Sequence, residues 1–375
     1  MMMDLSGLYI SKGALLAPDG IPLHFGDTLG EYNAIHTGGI LLDRRHEGRI
    51  LASGVNVLAW LDNIATNKLV DITPMTGKPT LFTNATARIL DRAMVYALDS
   101  ERVVIITEPN RGDALTAYLR GNIFYQDKIT LTDWRPVYHQ FALHGTQADA
   151  LIHTFLGNNN SHSQKTINEL GREKGEKSVV DGVYSVLEGS IADSPVYAFR
   201  QKPLVGSSWT LLTPTESAGM VWKTLIDAGK PLGIIPSGGL VYNALRIASG
   251  RPNVGRELTT EYIPLELGLW DEVSFSKGCY TGQEILARME SRNKLARVLM
   301  RLQLTQFAEA DTPLFYQGKQ VGQITSSVIA PDGVIHAMGV VKTSMAGAGV
   351  VVNIGTADGA TATLTDYLGV QPRIS

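Results

Sequence analysis

Phe275-Ser276-Lys277-Gly278-Cys279-Tyr280-Thr281-Gly282-Gln283-Glu284-Ile285 surrounds the single cysteine of a 375-residue chain. Two glycines bracket the Cys279-Tyr280-Thr281 triplet. Glycine tolerates positive φ and close backbone approach, so the stretch predicts a tight bend leading into another element. That element is a helix over Gln283–Arg292, with Ile285 and Leu286 on one side and Arg288 and Arg292 toward another. Two readings of Cys279 stay open. In one, Lys277 and the helix start lower the thiol pKa, and the sulfur is partly exposed and reactive. In the other, Cys279 is a small apolar residue buried in a turn.

Outward from this stretch the chain divides by texture. Residues 1–150 mix strands and helices without the regular alternation of a parallel α/β sheet, which argues for α+β layers. Val57–Ile64 has helical apolar spacing, and Asp113–Leu119 is a short amphipathic helix after the Asn110-Arg111-Gly112 turn. Leu81–Thr83, Ala93–Ala97 and Arg102–Thr107 read as strands. Gly157–Lys177 is polar and nearly free of large apolar side chains, so it reads as an exposed loop or insertion. A second α+β part, 151–295, carries a strand at Trp209–Leu212. It also carries helices at Gly219–Ala228 and Val241–Ile247, the latter ended by Ser249-Gly250. Over 296–375 short β-rich runs recur between Gly and Asp turns, which predicts a small antiparallel barrel or sandwich.

Composition narrows the function classes. Hydrophobic residues make up 44% and charged residues 18%, a globular balance with ample apolar surface for a core. A net charge of −3 supplies no broad basic field for nucleic acid or an anionic membrane. One cysteine permits no internal disulfide, and no apolar run approaches the roughly 18 residues of a membrane span. The expectation is a cytoplasmic protein with no membrane partner. No phosphate loop, dinucleotide-binding glycine motif, H-E-x-x-H or paired C-x-x-C occurs. The spacing of His24, His36 and His46 matches no common zinc pattern.

Lys277–Glu284 resembles the K-G-C-Y-x-G-Q-E signature of the YgfZ-type folate-binding proteins, relatives of the glycine-cleavage T-protein, an aminomethyltransferase. Leu245-Arg246-Ile247-Ala248-Ser249-Gly250-Arg251-Pro252 is similar to the family's L-R-[IL]-E-A-G-x-P. Gly255–Leu258 and Pro264–Leu269 resemble its G-x-E-L and P-x-E-x-G-L. Leu42–Gly48 resembles L-F-D-x-S-H-x-G, and Leu143–Ala148 resembles L-Q-G-P-x-A. These pieces occur in the family's order and span nearly the whole chain outside Gly157–Lys177.

The resemblance implies an α+β, three-domain ring around a channel that takes tetrahydrofolate, ending in a small antiparallel β-barrel. It implies a folate-binding set of Asp91, Arg92, Tyr96, Arg200, Arg246, Lys277, Tyr280 and Gln283, with Cys279 as the candidate catalytic residue. It also implies iron–sulfur proteins as partners, because YgfZ-type proteins maintain iron–sulfur enzymes and the tRNA modification that depends on them. Two positions depart from the T-protein pattern. The transferase's aspartate lies in G-x-x-D-D-L-x-V-Y, and here Arg88–Tyr96 puts Arg92 at its place beside Asp91. Arginine is no general base near neutral pH, and neighbours on a strand face opposite ways, so Asp91 does not simply substitute. The pterin-holding glutamate falls at Gly206. Both departures favour the YgfZ-type reading over aminomethyl transfer, and a scaffold that has lost its ligand is the third alternative. One thiol cannot hold an iron–sulfur cluster, which takes about four protein ligands.

Overall fold

The computed structural model describes residues 4–157, 182–292 and 294–369. The expected loop at Gly157–Lys177 falls, after Gly157, outside the described residues. Two sheets and a barrel organise the rest. The first sheet is wholly antiparallel and runs Thr76–Thr83, Ile89–Ala97, Arg102–Pro109, Glu47–Ser53, Thr130–Asp133. The second has six strands, in the order Val186–Ile191, Ser194–Gln201, Ser207–Pro214, Tyr138–Gly145, Gly39–Asp43, Ile234–Pro236. Its last pair is parallel and the others antiparallel.

Alternation along the strands explains how the sheets pack. One face of the first sheet buries Phe82, Val95 and Ile105 beneath the helices Val57–Ile64 and Gly112–Gly121. One face of the second buries Trp209 and Leu211 beneath Ala148–Leu156 and Ala218–Gly229. The remaining faces meet each other, Met94, Tyr96 and Ile106 against Phe199 and Leu212. The Tyr96 and Phe199 ring centroids are 4.7 Å apart. This is a helix–sheet–sheet–helix stack in which each sheet buries both faces.

The C-terminal region closes as a six-stranded antiparallel barrel. Its order is Arg297–Leu304, Ile335–Lys342, Lys319–Ile329, Pro313–Tyr316, Val351–Ile354, Thr361–Tyr367. The expected β-rich texture is therefore a closed barrel rather than a sandwich. The second sheet draws Gly39–Asp43 and Tyr138–Gly145 from before residue 150 and its other strands from residue 186 onward. The sheets thus interlock across the expected boundary at 150.

Residues 258–286 form the mortar between these bodies. Leu258, Tyr262, Leu265, Leu267 and Tyr280 pack with Leu81 and Ile89 of the first sheet and with Leu299, Met338 and Val340 of the barrel. At Gly268, φ is +71°, and a Cβ would lie 2.0 Å from the Leu368 carbonyl oxygen. Only glycine lets the segment after the barrel approach so closely.

Candidate functional site: a charged pocket where the bodies meet

A pocket of about 430 Å³ opens where these parts converge. Arg92 and Met94 line it from the Ile89–Ala97 strand, and Gln201 to Leu204 from the end of Ser194–Gln201. Ser249 to Pro252 follow the Gly239–Ser249 helix, and Leu267 to Leu269, Asp271 and Glu272 come from the linking segment, with Tyr184 and Gly369 completing the wall. Period-two alternation selects the strand residues: Arg92 and Met94 face the pocket, while Asp91 faces away.

Arg92 is partly buried, its side chain 12% exposed, and fully engaged. Its Nε and Nη2 donate to Glu272 at 2.8 and 2.7 Å, and its Nη1 donates to Glu108 at 2.8 Å. Burial opposes its charge, and Glu272 with Glu108 more than offsets that, holding the guanidinium pKa well above the ordinary value. Asp91 accepts from Arg111 Nη2 at 2.8 Å on the opposite face. Burial raises the Asp91 carboxyl pKa against the pull of Arg111. Tyr184, on the pocket wall, is pushed up to about 12 by burial and then by Glu272.

The other expected binding residues lie elsewhere. Tyr96 is 0% exposed and donates its hydroxyl to the Arg200 carbonyl at 3.0 Å, so it presents no surface to a ligand. Arg200 turns from the pocket to bind Asp149 at 2.6 Å, and its strand neighbour Gln201 faces the pocket instead. Arg246 donates Nε to Asn243 at 2.9 Å and both Nη atoms to Ser326 at 3.2 Å, with Glu257 3.5 Å away. It borders two neighbouring cavities rather than the central one. Burial lowers its pKa against Glu257. Its guanidinium is thus engaged inside the protein by Asn243, Ser326 and Glu257.

The Lys277–Glu284 stretch works as a clasp. The Lys277 ammonium is buried and donates to the carbonyls of Ala65 (2.8 Å), Asn67 (3.0 Å) and Asp62, capping the end of the Val57–Ile64 helix. Burial, countered by Asp62, lowers its pKa. The Thr281 carbonyl accepts from Thr83 Oγ1 at 2.6 Å. The Tyr280 ring sits in the linking core, burial pushes its pKa up to about 12, and its hydroxyl has no partner among the described residues. Gln283 begins the Gln283–Arg292 helix and donates to the Lys277 carbonyl at 3.3 Å. Cys279 is exposed, as its reactive reading expects, but it lines neither the central pocket nor the cavities beside Arg246. The Lys277 charge is spent on carbonyls and Asp62.

Tyr184, Gln201, Lys202, Arg251, Asp271 and Glu272 were not legible in the sequence as pocket residues. They come from four separate segments, and only Arg251, next to the Gly250 helix stop, sits in a recognisable motif.

A family model described as the GCVT N-terminal domain matches residues 21–277. A chloroplastic protein of Arabidopsis thaliana, provisionally named a transferase, is 28% identical over 92% of this chain and 74% of its own. An aminomethyltransferase of Streptomyces avermitilis is 26% identical over 87% of this chain and 85% of its own. The crystal structure of glycine cleavage system aminomethyltransferase T from Bartonella henselae superposes with a TM-score of 0.78, covering 100% of this chain and 99% of that one at 18% identity. That likeness is one of fold, and it includes the closing barrel. With the family model spanning well over half of the sequence, the chain belongs to the GCVT N-terminal domain family, the T-protein superfamily.

Proposed function

We propose that this chain is a tetrahydrofolate-binding accessory protein of the YgfZ type, acting in the cytoplasm, which serves iron–sulfur enzymes and the tRNA modification that depends on them. In this reading it does not transfer aminomethyl groups. The observation that carries it is Arg92. A guanidinium stands where the resemblance assigns the transferase's aspartate, and the nearby carboxylates of Glu272 and Glu108 are both bound to it. Both oxygens of Glu272 and one of Glu108 accept from the guanidinium, so these carboxylates are already engaged within the protein.

The pocket suits a reduced folate. Its volume of about 430 Å³ lies within the range of small-molecule sites. Met94, Tyr184, Leu204, Leu267 and Leu269 offer flat apolar contact to a ring. Asp271, which meets Lys202 through Oδ2 alone at 3.5 Å, supplies a carboxylate for the pterin amidine edge, a task that Gly206 cannot perform. Bound tetrahydrofolate would contribute ring nitrogens that carry one-carbon units. Cys279, outside the pocket, would act on a partner protein rather than on the folate.

Calorimetry with tetrahydrofolate should give binding below millimolar concentration, and a Cys279→Ala variant should fail to complement cells lacking the protein. No binding together with full complementation would remove the proposal. Folate-dependent aminomethyl transfer is the second reading, favoured by the name of the Streptomyces relative. Robust turnover in a reconstituted one-carbon transfer assay would establish it instead. A ligand-free scaffold is the third, and the open, charged pocket argues against it.

A further inference from the structure

The resemblance makes Arg246 a folate contact, but Glu257, Ser326 and Asn243 occupy its guanidinium. Arg251 follows five residues later and lines the central pocket. It is half-buried, and among the described residues its guanidinium has no hydrogen bond or ion pair. Its backbone is fixed. Gly250 ends the Gly239–Ser249 helix at φ +78°, the Arg251 N–H donates to the Arg246 carbonyl at 2.8 Å, and Pro252 restricts the backbone of Arg251, the residue before it. The other charges on the wall are matched, Arg92 by Glu272 and Lys202 by Asp271 at 3.5 Å. The Arg251 charge also reaches the interior. Burial first, then Arg251 and Arg44, push His144 down to about 3.

We propose that Arg251 is the anion-recognition residue of the central pocket. It takes a carboxylate of the ligand's glutamyl tail and sets the pocket's preference for tailed folates over bare pterins. This assignment rests on the folate reading above. A half-desolvated guanidinium without a hydrogen-bond partner is costly, and a carboxylate across its planar fork gives two charge-assisted hydrogen bonds. Asp271 and Arg251 lie on different segments of the wall, so a pterin edge and an acidic tail would be held by separate groups.

Calorimetry on the full-length protein with three probes tests this: tetrahydrofolate, 6-methyltetrahydropterin, which lacks the tail, and p-aminobenzoyl-glutamate, which lacks the pterin. Arg251→Met should weaken both tailed ligands by roughly 10- to 100-fold and leave 6-methyltetrahydropterin within twofold. Arg251→Lys should lose less, because it keeps the charge without the fork. Tailed ligands within twofold of wild type in Arg251→Met overturn the assignment, as does an equal loss for the tail-less pterin. If the wild-type protein takes p-aminobenzoyl-glutamate through Arg251 but neither pterin, the folate reading falls and the anion site stands. Binding of none of the three overturns both.

Discussion

At the scale of single residues, charge decides what the pocket can do. Arg92 serves the buried carboxylate of Glu272 and the partly buried one of Glu108, so restoring an acid there does not restore a transferase. Arg92→Asp would crowd three carboxylates into one desolvated site. We expect no aminomethyl transfer and a loss of about 3–5 kcal/mol in urea unfolding; a stable, active variant would contradict this account. His144 offers a second test. Its Nδ1 lies 2.7 Å from Ser208 Oγ, and its folded pKa is about 3, against an ordinary value of about 6.5 in the unfolded chain. Between these values the unfolded chain binds a proton that the folded protein refuses, so stability falls as pH falls. His144→Asn keeps an amide for Ser208 and removes the titration. From pH 6.5 to 4.5 the variant should lose about 2 kcal/mol less stability than wild type, read from urea midpoints at the two pH values. Equal losses would mean that His144 is charged when folded.

At the scale of elements, the Lys277–Glu284 stretch holds the linking segment to the first sheet. Gly282 shows how tightly. Its φ is +87°, and a Cβ would lie 2.7 Å from the Asn84 carbonyl oxygen and 2.9 Å from the Ala87 Cα, in the hairpin turn after Thr76–Thr83. Gly282→Ala combines left-handed strain with a backbone clash and should cost about 2–3 kcal/mol. Amide exchange should accelerate over residues 277–292 while the barrel amides keep their protection; unchanged exchange would show that the clasp is not needed. Elements of this kind were also the most legible in the sequence. The helices Val57–Ile64 and Gln283–Arg292 have the expected limits because their apolar periodicity is local. Strand partners were not legible. Gly39–Asp43 is buried along its whole length and so shows no alternation, and its neighbours in the sheet come from residues about 100 and 200 positions away. The site was legible at Arg92, where a motif fixes the register, and illegible at Tyr184, Gln201 and Glu272, which are brought together only by the closing of the sheets.

At the scale of the whole molecule, the question is what fixes the barrel against the two-sheet body. Apolar packing through residues 258–286 supplies area but little direction. A buried polar junction supplies the direction. Glu257 is 0% exposed, accepts from Ser326 Oγ of the barrel at 2.7 Å and from the Asn253 N–H at 3.1 Å, and faces Arg246 of the Gly239–Ser249 helix. Removing one partner leaves the other charge buried without compensation, whereas removing both leaves only a packing defect. Glu257→Leu and Arg246→Met should therefore each cost about 3–5 kcal/mol, and the double variant should cost less than the sum of the two. A double-mutant cycle by urea unfolding measures the difference, and near-additivity would mean that the pair is not coupled. The double variant should also loosen the barrel's seating while the barrel itself stays folded. Faster amide exchange at the Ser326 junction, with protection retained inside the Arg297–Leu304 strand, is the expected signature, because the junction's hydrogen bonds link separate bodies while those of the strand lie within one.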